Sequence, residues 1–470
     1  MATISSPGIG TQLDVKSIVT SLVDLEKRPL DALKLQAATV QTKISAFGQI
    51  KSQVSALSDA ASTLSSLTTY NSVNATSSNT SVVTATAIGG TAANNFSIKV
   101  DSLAKAQSTA SGSLLPVGGA LGAGTLRLQL GKWTVVPLSF LPQVGVGPVD
   151  IVVSATDTVT DVASKINGAN AGVSATVLND ASGQRLLLRS KTTGESFGYE
   201  MSVVSDADGN AADAAGLSRL VVGATTQYAA DAKIQVNDVP VSSSTNTFTD
   251  VVSGVTLTAV APSTTAVEVT VAPNKTVITE AINNFVSAFN AINQTLNELT
   301  KYDAGTKTAG LLQGDSTAIG LQSALRGVLQ STTAGSAYKR LADIGVTQQL
   351  GGDLAVDSTK LSAALANGDE VKNLFRIDNS NTLTNGVALK FKKFSAGLLE
   401  AGGFFSTKDA SLKRSLELNT EEQARVNAKA TRVETNLYRR YNALDVQLNS
   451  LSSLNAYVTQ QITLWNKSSG

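Results

Sequence analysis

The chain has 470 residues, room for about three domains, with a formal charge of +1 and neither cysteine nor histidine. Near-neutrality argues against general binding to nucleic acid or membrane surfaces, which depends on concentrated positive charge. The two missing residue types remove thiol nucleophiles, disulfides, Cys/His zinc sites and every His-based triad. No constellation of acid, base and nucleophile assembles from what remains, so no enzyme activity and no cofactor are expected.

The opening stretch, MATISSPGIG, lacks the basic and apolar regions of a cleaved secretory signal. No run approaches the roughly 18 apolar residues of a membrane span. Residues 1–12 are rich in Gly, Ser and Pro and read as mobile. Asp14 is a plausible N-cap for a helix carrying Val15, Ile18, Val19, Leu22 and Leu25. Pro29 is expected to interrupt that helix, or to open a second one at its first position. The second helix is predicted from about Leu30 to Leu67. Its apolar seam steps by four and three through Leu33, Ala37, Val40, Ile44, Phe47, Ile50, Val54, Leu57, Ala61 and Leu64. The two three-residue steps from Ile44 to Phe47 to Ile50 form a stammer.

After Tyr70 the composition turns β-branched and polar. Phe96, Ile98 and Val100 alternate as a strand, and so do Leu126, Leu128 and Leu130 beyond a Gly-rich loop at 111–124. Residues 149–190 form one unit. A strand, VDIVVS, leads to a short helix on Val162 and Ile166, opened by the capping-box pair Thr158 and Asp161. Two strands follow around a turn at Asp180–Gly183. Residues 232–271 continue the β pattern, with a turn at Asn237-Asp238 and clean alternation of Val267, Val269 and Val271.

Helix returns at about 276 with Ile278, Ile282, Phe285, Phe289, Ile292, Leu296 and Leu299. Further helices are predicted over 316–330, 358–375 and 381–400, with a hairpin around Gly351-Gly352. The last helix, from about Ser411 to Trp465, would be roughly 80 Å long. Its seam runs through Leu412, Leu416, Asn419, Gln423, Val426, Ala430, Val433 and Leu437, then Tyr441, Leu444, Leu448, Leu451, Asn455, Val458, Ile462 and Trp465. Two four-residue steps from Val433 to Leu437 to Tyr441 form a stutter. A helix so long, with so narrow a stripe, needs the N-terminal helix, a neighbouring subunit, or both. The expected fold class is α+β and multidomain: long terminal coiled-coil helices, a mainly helical stalk domain and two inserted β-rich domains.

Three sharper motif readings fail on detail. Gly118 to Gly124 lacks the strand-to-helix context and the Lys-Ser/Thr of a phosphate loop. The stretch 206–217 has Ala211 at the obligatory glycine of a calcium loop and Leu217 in place of its bidentate glutamate. The basic residues of the last helix alternate with Glu421, Glu422, Glu434 and Asp445, as on a solvated face.

The order of elements, with particular strings, resembles the bacterial flagellar filament cap family, FliD, the second hook-associated proteins. At the N-terminal end the likeness rests on Gly8-Ile9-Gly10-Thr11-Gln12-Leu13-Asp14-Val15, Ile18-Val19, Leu25-Glu26, Pro29-Leu30 and Ile44-Ser45-Ala46-Phe47-Gly48. Later it rests on LADIGVTQQLGGDLAVDSTKLSAAL at 341–365, on Arg440-Tyr441 and on Leu444-Asp445. VASKINGANAGVSATVLND resembles the small insertion motif shared with flagellins. Thr11-Gln12 departs from the small residues more usual in the family.

The resemblance implies a homo-oligomeric ring at the distal tip of the flagellum, outside the cell. Flagellin would fold beneath the ring and enter the filament between helical legs. It implies as partners other copies of the chain, flagellin, hook–filament junction proteins and an export chaperone at the C-terminal helix, near Tyr457 and Trp465. In some members it implies host mucin, met by the 110–224 region. Under this reading residues 1–42 and 406–470 are legs, and 43–78 with 275–405 form the helical stalk domain. Residues 79–108 with 225–274 form a proximal β domain, and 109–224 a distal one. The seam residues proposed to hold the oligomer are Leu33, Val40, Ile44, Phe47, Val54, Leu57, Val426, Val433, Leu437, Tyr441, Leu444, Leu448, Leu451, Val458, Ile462 and Trp465. A hook–filament junction protein and a surface adhesin remain alternatives.

Overall fold

The computed structural model describes residues 14–468. Its helices are α1 (Val15–Ser65), α2 (Leu67–Asn71), α3 (Val159–Gly168), α4 (Lys275–Thr300), α5 (Ser316–Gln330), α6 (Ser358–Ala364), α7 (Gly368–Arg376), α8 (Val387–Leu399) and α9 (Phe404–Ser468). The α+β, multidomain class is as expected. The described chain separates into two compact units. One joins the two ends, up to Ser66 and from Ile278, and the other is Leu67–Val277. The Gly-rich opening, with Thr11-Gln12, lies outside the described residues.

The β-rich unit is two modules, one nested in the other. In the outer module, strands Val73–Ser77, Val267–Pro273, Asn94–Ser102, Ala232–Val236 and Val239–Ser243 form an antiparallel sheet in that order. A second sheet holds Thr247–Val252, Val255–Ala259 and Val83–Ala87. Alternate residues of both sheets, among them Phe96, Ile98, Ile234, Phe248, Leu257 and Val269, bury one core. The tight turn of the outer module is at Asn237 and Asp238, whose φ angles of 46° and 63° match the right-handed twist of a two-residue hairpin.

The inner module occupies the chain between Ser108 and Gln227. The long strand Gly124–Val135 pairs with Gly198–Asp206, Leu138–Pro142 and Val149–Val153. Thr225–Gln227, Ser108–Ala110, Gly183–Ser190 and Val173–Asp180 form the other sheet. Helix α3 seals the core with Val162 and Ile166. It opens on the predicted capping box: the Thr158 hydroxyl accepts from the Asp161 amide, and the Asp161 carboxylate accepts from the Thr158 amide at 2.9 Å.

In the other unit, α4 buries Ile278, Ile282, Phe285, Phe289, Ile292 and Leu296 along one stripe. Phe285 and Phe289 meet the Phe391 ring of α8 edge-on, at 5.1 and 6.0 Å. The C-terminal part of α1 packs on α8 and buries Ile50, Val54, Leu57, Ala61 and Leu64. The hairpin of Val346–Gln348 and Leu354–Val356 is pinned to α4 by three asparagines, Asn290, Asn293 and Asn297, the last donating to the Gly351 carbonyl at 2.8 Å. Asn290 donates to the Leu354 carbonyl at 2.8 Å and accepts from its amide at 2.7 Å. Asn293 donates to the Gly351 carbonyl and the Asp353 carboxylate. Gly352 has φ +97° and its missing Cβ would lie 2.9 Å from the Asn293 amide oxygen, so only glycine fits both the turn and the contact.

Three expectations need correction. Pro29 neither interrupts nor begins a helix but lies inside α1, which runs unbroken for 51 residues. It is exposed, so its ring crowds no packed neighbour, and the cost falls on the Leu25 carbonyl, which loses its helical donor. The predicted helix 358–375 is split by a 3-10 turn at Leu365–Asn367, where Asn367 and Gly368 weaken helical continuity. The helix expected from 381 starts at Val387. Its first residues are held instead by side chains: Asn379 accepts nothing helical but donates to the Thr384 carbonyl, and the Asn385 side chain accepts from the Asn379 amide.

Asp315 ties α5 to α9. As N-cap it accepts from the Thr317 and Ala318 amides, and its other oxygen accepts from the Lys408 ammonium at 2.9 Å. The same ammonium lies 5.0 Å from the centre of the Phe47 ring on α1. Burial favours protonation of Asp315, but the Lys408 hydrogen bond and the α5 amides outweigh it and hold the carboxyl below its ordinary 3.8.

Two outcomes follow from these contacts. Restoring the missing amide with Pro29→Ala should slow hydrogen exchange of the flanking α1 amides by about tenfold or more, given the roughly 3 kcal/mol cost of an interior proline. A depressed folded-state pKa contributes stability above pH 3.8 and loses it as pH falls through the folded value. Asp315→Asn should therefore cost about 1–2 kcal/mol in urea unfolding at neutral pH, and the difference from wild type should vanish in strong acid.

Candidate assembly surface

The seam residues meet their first partner within the chain. Helices α1 and α9 lie antiparallel, and each tie shows the register. Lys408 stands over Phe47, Asn419 donates to the Leu33 carbonyl at 3.0 Å, and Lys429 pairs with Glu26 at 2.8 Å. At the far end Val15, Val19 and Val23 bury against Ala430, with Leu437, Tyr438 and Tyr441 packed around them. Numbers rise on α9 as they fall on α1.

Asn419 is a polar point in this seam, and it is buried. Its amide also donates to the Gln36 side chain at 3.2 Å, and its oxygen accepts from Gln423 at 2.7 Å. A satisfied polar group at one seam position penalises slipped registers, because any slip would leave it buried and unpaired. The Glu26–Lys429 pair is more exposed and adds little beyond orientation.

The two helices differ in length, and the difference leaves a surface. The described part of α1 ends opposite Leu437–Tyr441. Beyond that point α9 continues through residues 442–468, about 40 Å of helix at 1.5 Å per residue. Seam residues Leu444, Leu448, Leu451, Val458, Ile462 and Trp465 are all exposed here, Leu451 by 59% and Trp465 by 75%. Leu454 flanks the stripe and is exposed as well. From Tyr441 to Trp465 the steps are three and four without a break.

The predicted seam thus falls into three environments. Val54 and Leu57 lie past the start of α9 and are buried in the helical core against α8. Phe47 is buried, and Leu33, Val40, Ile44, Val426, Val433, Leu437 and Tyr441 are half-buried along the α1–α9 pair. The five from Leu444 to Ile462 have no apolar partner helix among the described residues. Lys408 and Asp315 were not singled out by sequence reasoning, because a lone Lys and Asp so far apart carry no local signal. No group of three or more metal-ligating side chains occurs among the described residues. Nor is any described helix long and apolar enough to cross a membrane.

Comparison with known proteins places this architecture. Residues 11–107 match the profile of the flagellar hook-associated protein 2 N-terminus, and residues 229–453 that of its C-terminus. Residues 142–192 match the flagellin hook IN motif. The flagellar hook-associated protein 2 of Escherichia coli K12 is 30% identical over 479 residues, covering 98% of both chains. The B-type flagellar hook-associated protein 2 of Pseudomonas aeruginosa PAO1 is 26% identical and covers 97% of both. The crystal structure of the D1-D2-D3 domains of the Escherichia coli flagellar cap protein FliD superposes with a TM-score of 0.55 at 27% identity, over 78% of this chain and 99% of that one. With full-length identity at this level, the chain belongs to the flagellar hook-associated protein 2 family.

Proposed function

We propose that this protein caps the distal end of a bacterial flagellum as a homo-oligomeric ring, outside the cell. In this reading the ring retains exported flagellin, promotes its folding and lets it insert into the growing filament, so motility depends on it. The role is mechanical, with no cofactor and no catalysis. The observation that supports it is the exposed heptad stripe from Leu444 to Ile462, which meets no apolar partner helix among the described residues. Exposed apolar stripes of this length are unfavourable in water and call for a partner helix. Residues 1–42 and 406–470 would serve as legs, with the other copies' α9 helices and flagellin covering the stripe. Before export the same residues, with Tyr457 and Trp465, would be the surface offered to a chaperone. Hook–filament junction proteins are further neighbours in this reading.

Because Leu444 and Leu451 are exposed in the single chain, aspartate at either position should leave the monomer folded. In a ring each carboxylate would be buried in an apolar seam at a cost of several kcal/mol. Leu444→Asp and Leu451→Asp should therefore abolish ring formation in mass photometry while thermal unfolding of the monomer stays unchanged. Rings of wild-type size at micromolar concentration would remove the seam from the interface. Position separates a cap from a junction protein. Gold-labelled antibody against residues 110–224 should mark the far tip of each filament and stay there as it lengthens. Label held at the hook would overturn the capping role.

A further inference from the structure

Within the helical unit, α5, α8 and the segment between Ile377 and Gly386 enclose a cleft of about 500 Å³. Its walls include Val328, Leu383, Leu389 and Phe394, and Lys390 forms part of its floor. Lys390 is only 7% exposed. Its ammonium donates to the Ser331 hydroxyl at 2.9 Å and the Thr332 carbonyl at 2.7 Å, both neutral groups at the C-terminal end of α5. That helix end supplies about half a negative charge, which leaves the cation partly unanswered. No carboxylate pairs with it among the described residues, and an ammonium has three donors, so one is unspent. Burial accordingly holds its pKa below that of an ordinary lysine. Lys393, exposed at the rim, adds a second positive charge.

Buried cations are ordinarily paired, and this one sits on the floor of an open apolar cleft. We propose that the cleft is a docking site for an acidic, apolar segment of a partner polypeptide, with one carboxylate on Lys390 and flanking apolar side chains against Val328, Leu383, Leu389 and Phe394. The unspent donor and the rim lysine select an anion. The apolar walls select a singly charged carboxylate with a hydrocarbon body over a phosphate, which needs more donors than the cleft supplies. The rim selects a polypeptide over a free small molecule. Leu383 is 75% exposed and Ala324 and Gly327 are exposed as well, whereas small-molecule sites bury most of their ligand.

The test uses the full chain and two fluorescein-labelled synthetic peptides, identical except for a central Leu-Glu-Leu or Leu-Gln-Leu, read by anisotropy. The glutamate peptide should bind about tenfold more tightly or better, the worth of one charge-assisted contact. In Lys390→Met that ratio should fall to about one. Because Lys390 also closes the end of α5, a second variant is included that leaves it in place. Ala324→Trp, at an exposed helical position lining the cleft, should abolish binding of both peptides. Equal affinity for the two peptides, a preference that survives Lys390→Met, or unchanged binding by Ala324→Trp would each overturn the proposal. So would binding of octanoate at the cleft with no binding of either peptide at millimolar concentration, which would assign the site to a free amphiphilic acid.

Discussion

Everything distinctive about this molecule depends on two helices of unequal length laid antiparallel. Helix α1 supplies an apolar edge from Val15 to Phe47, and α9 lies against it from its start as far as Tyr441. The pairing is held by apolar side chains and placed in register by Asn419, which finds its partners only when Leu33 and Gln36 stand opposite. Had the described helices matched in length, the stripe would be consumed within the chain. Because α9 outruns the described part of α1, the same seven-residue repeat that pairs within the chain is left exposed from Leu444 to Ile462. In the proposed ring, assembly between copies would be a second use of the pattern that folds the single chain.

The rest of the helical unit anchors that pair. Past Phe47, α1 leaves α9 and becomes a core helix, with Ile50 to Leu64 against α8 and the aromatic group of Phe285, Phe289 and Phe391 close by in the same unit. Lys408 stands at the change-over. It touches Phe47 on one helix and Asp315 on another, so the first turns of α9 are fixed to the domain from which it projects. A projecting helix can transmit force or position only if its base is held, and this cluster holds it.

The β modules follow another rule. Each has two sheets that bury one face apiece, so each closes its own core. The inner module is inserted between Ser102 and Ala232, adjacent pairing strands of the outer sheet, without breaking that sheet. Module size can therefore change while the outer sheet keeps its register.

What the sequence by itself determined was whatever has a local physical cause. The period of α4, the capping box of Thr158 and Asp161, the Asn237-Asp238 turn and the bounds of α5 all arise within a few residues, and each was legible. So was the seam, since a seven-residue repeat is visible without knowing what faces it. The family likeness came from strings spread over both halves. Only the tertiary structure decided which part of the seam has a partner, because that depends on where α1 ends relative to Tyr441. It also decided that Pro29 stays within a helix, since α9 packing along α1 outweighs one lost hydrogen bond. The strand Leu138–Pro142 was missed because its residues are mostly exposed on both faces and carry no alternation; what holds it is the ladder to Gly131–Val135 and the contact of Phe140 with Trp133 at 5.0 Å. Lys390 gave no sign in the sequence either, as it sits among other lysines of α8. Burial is set by what the rest of the chain brings to a residue, and a linear pattern does not contain that.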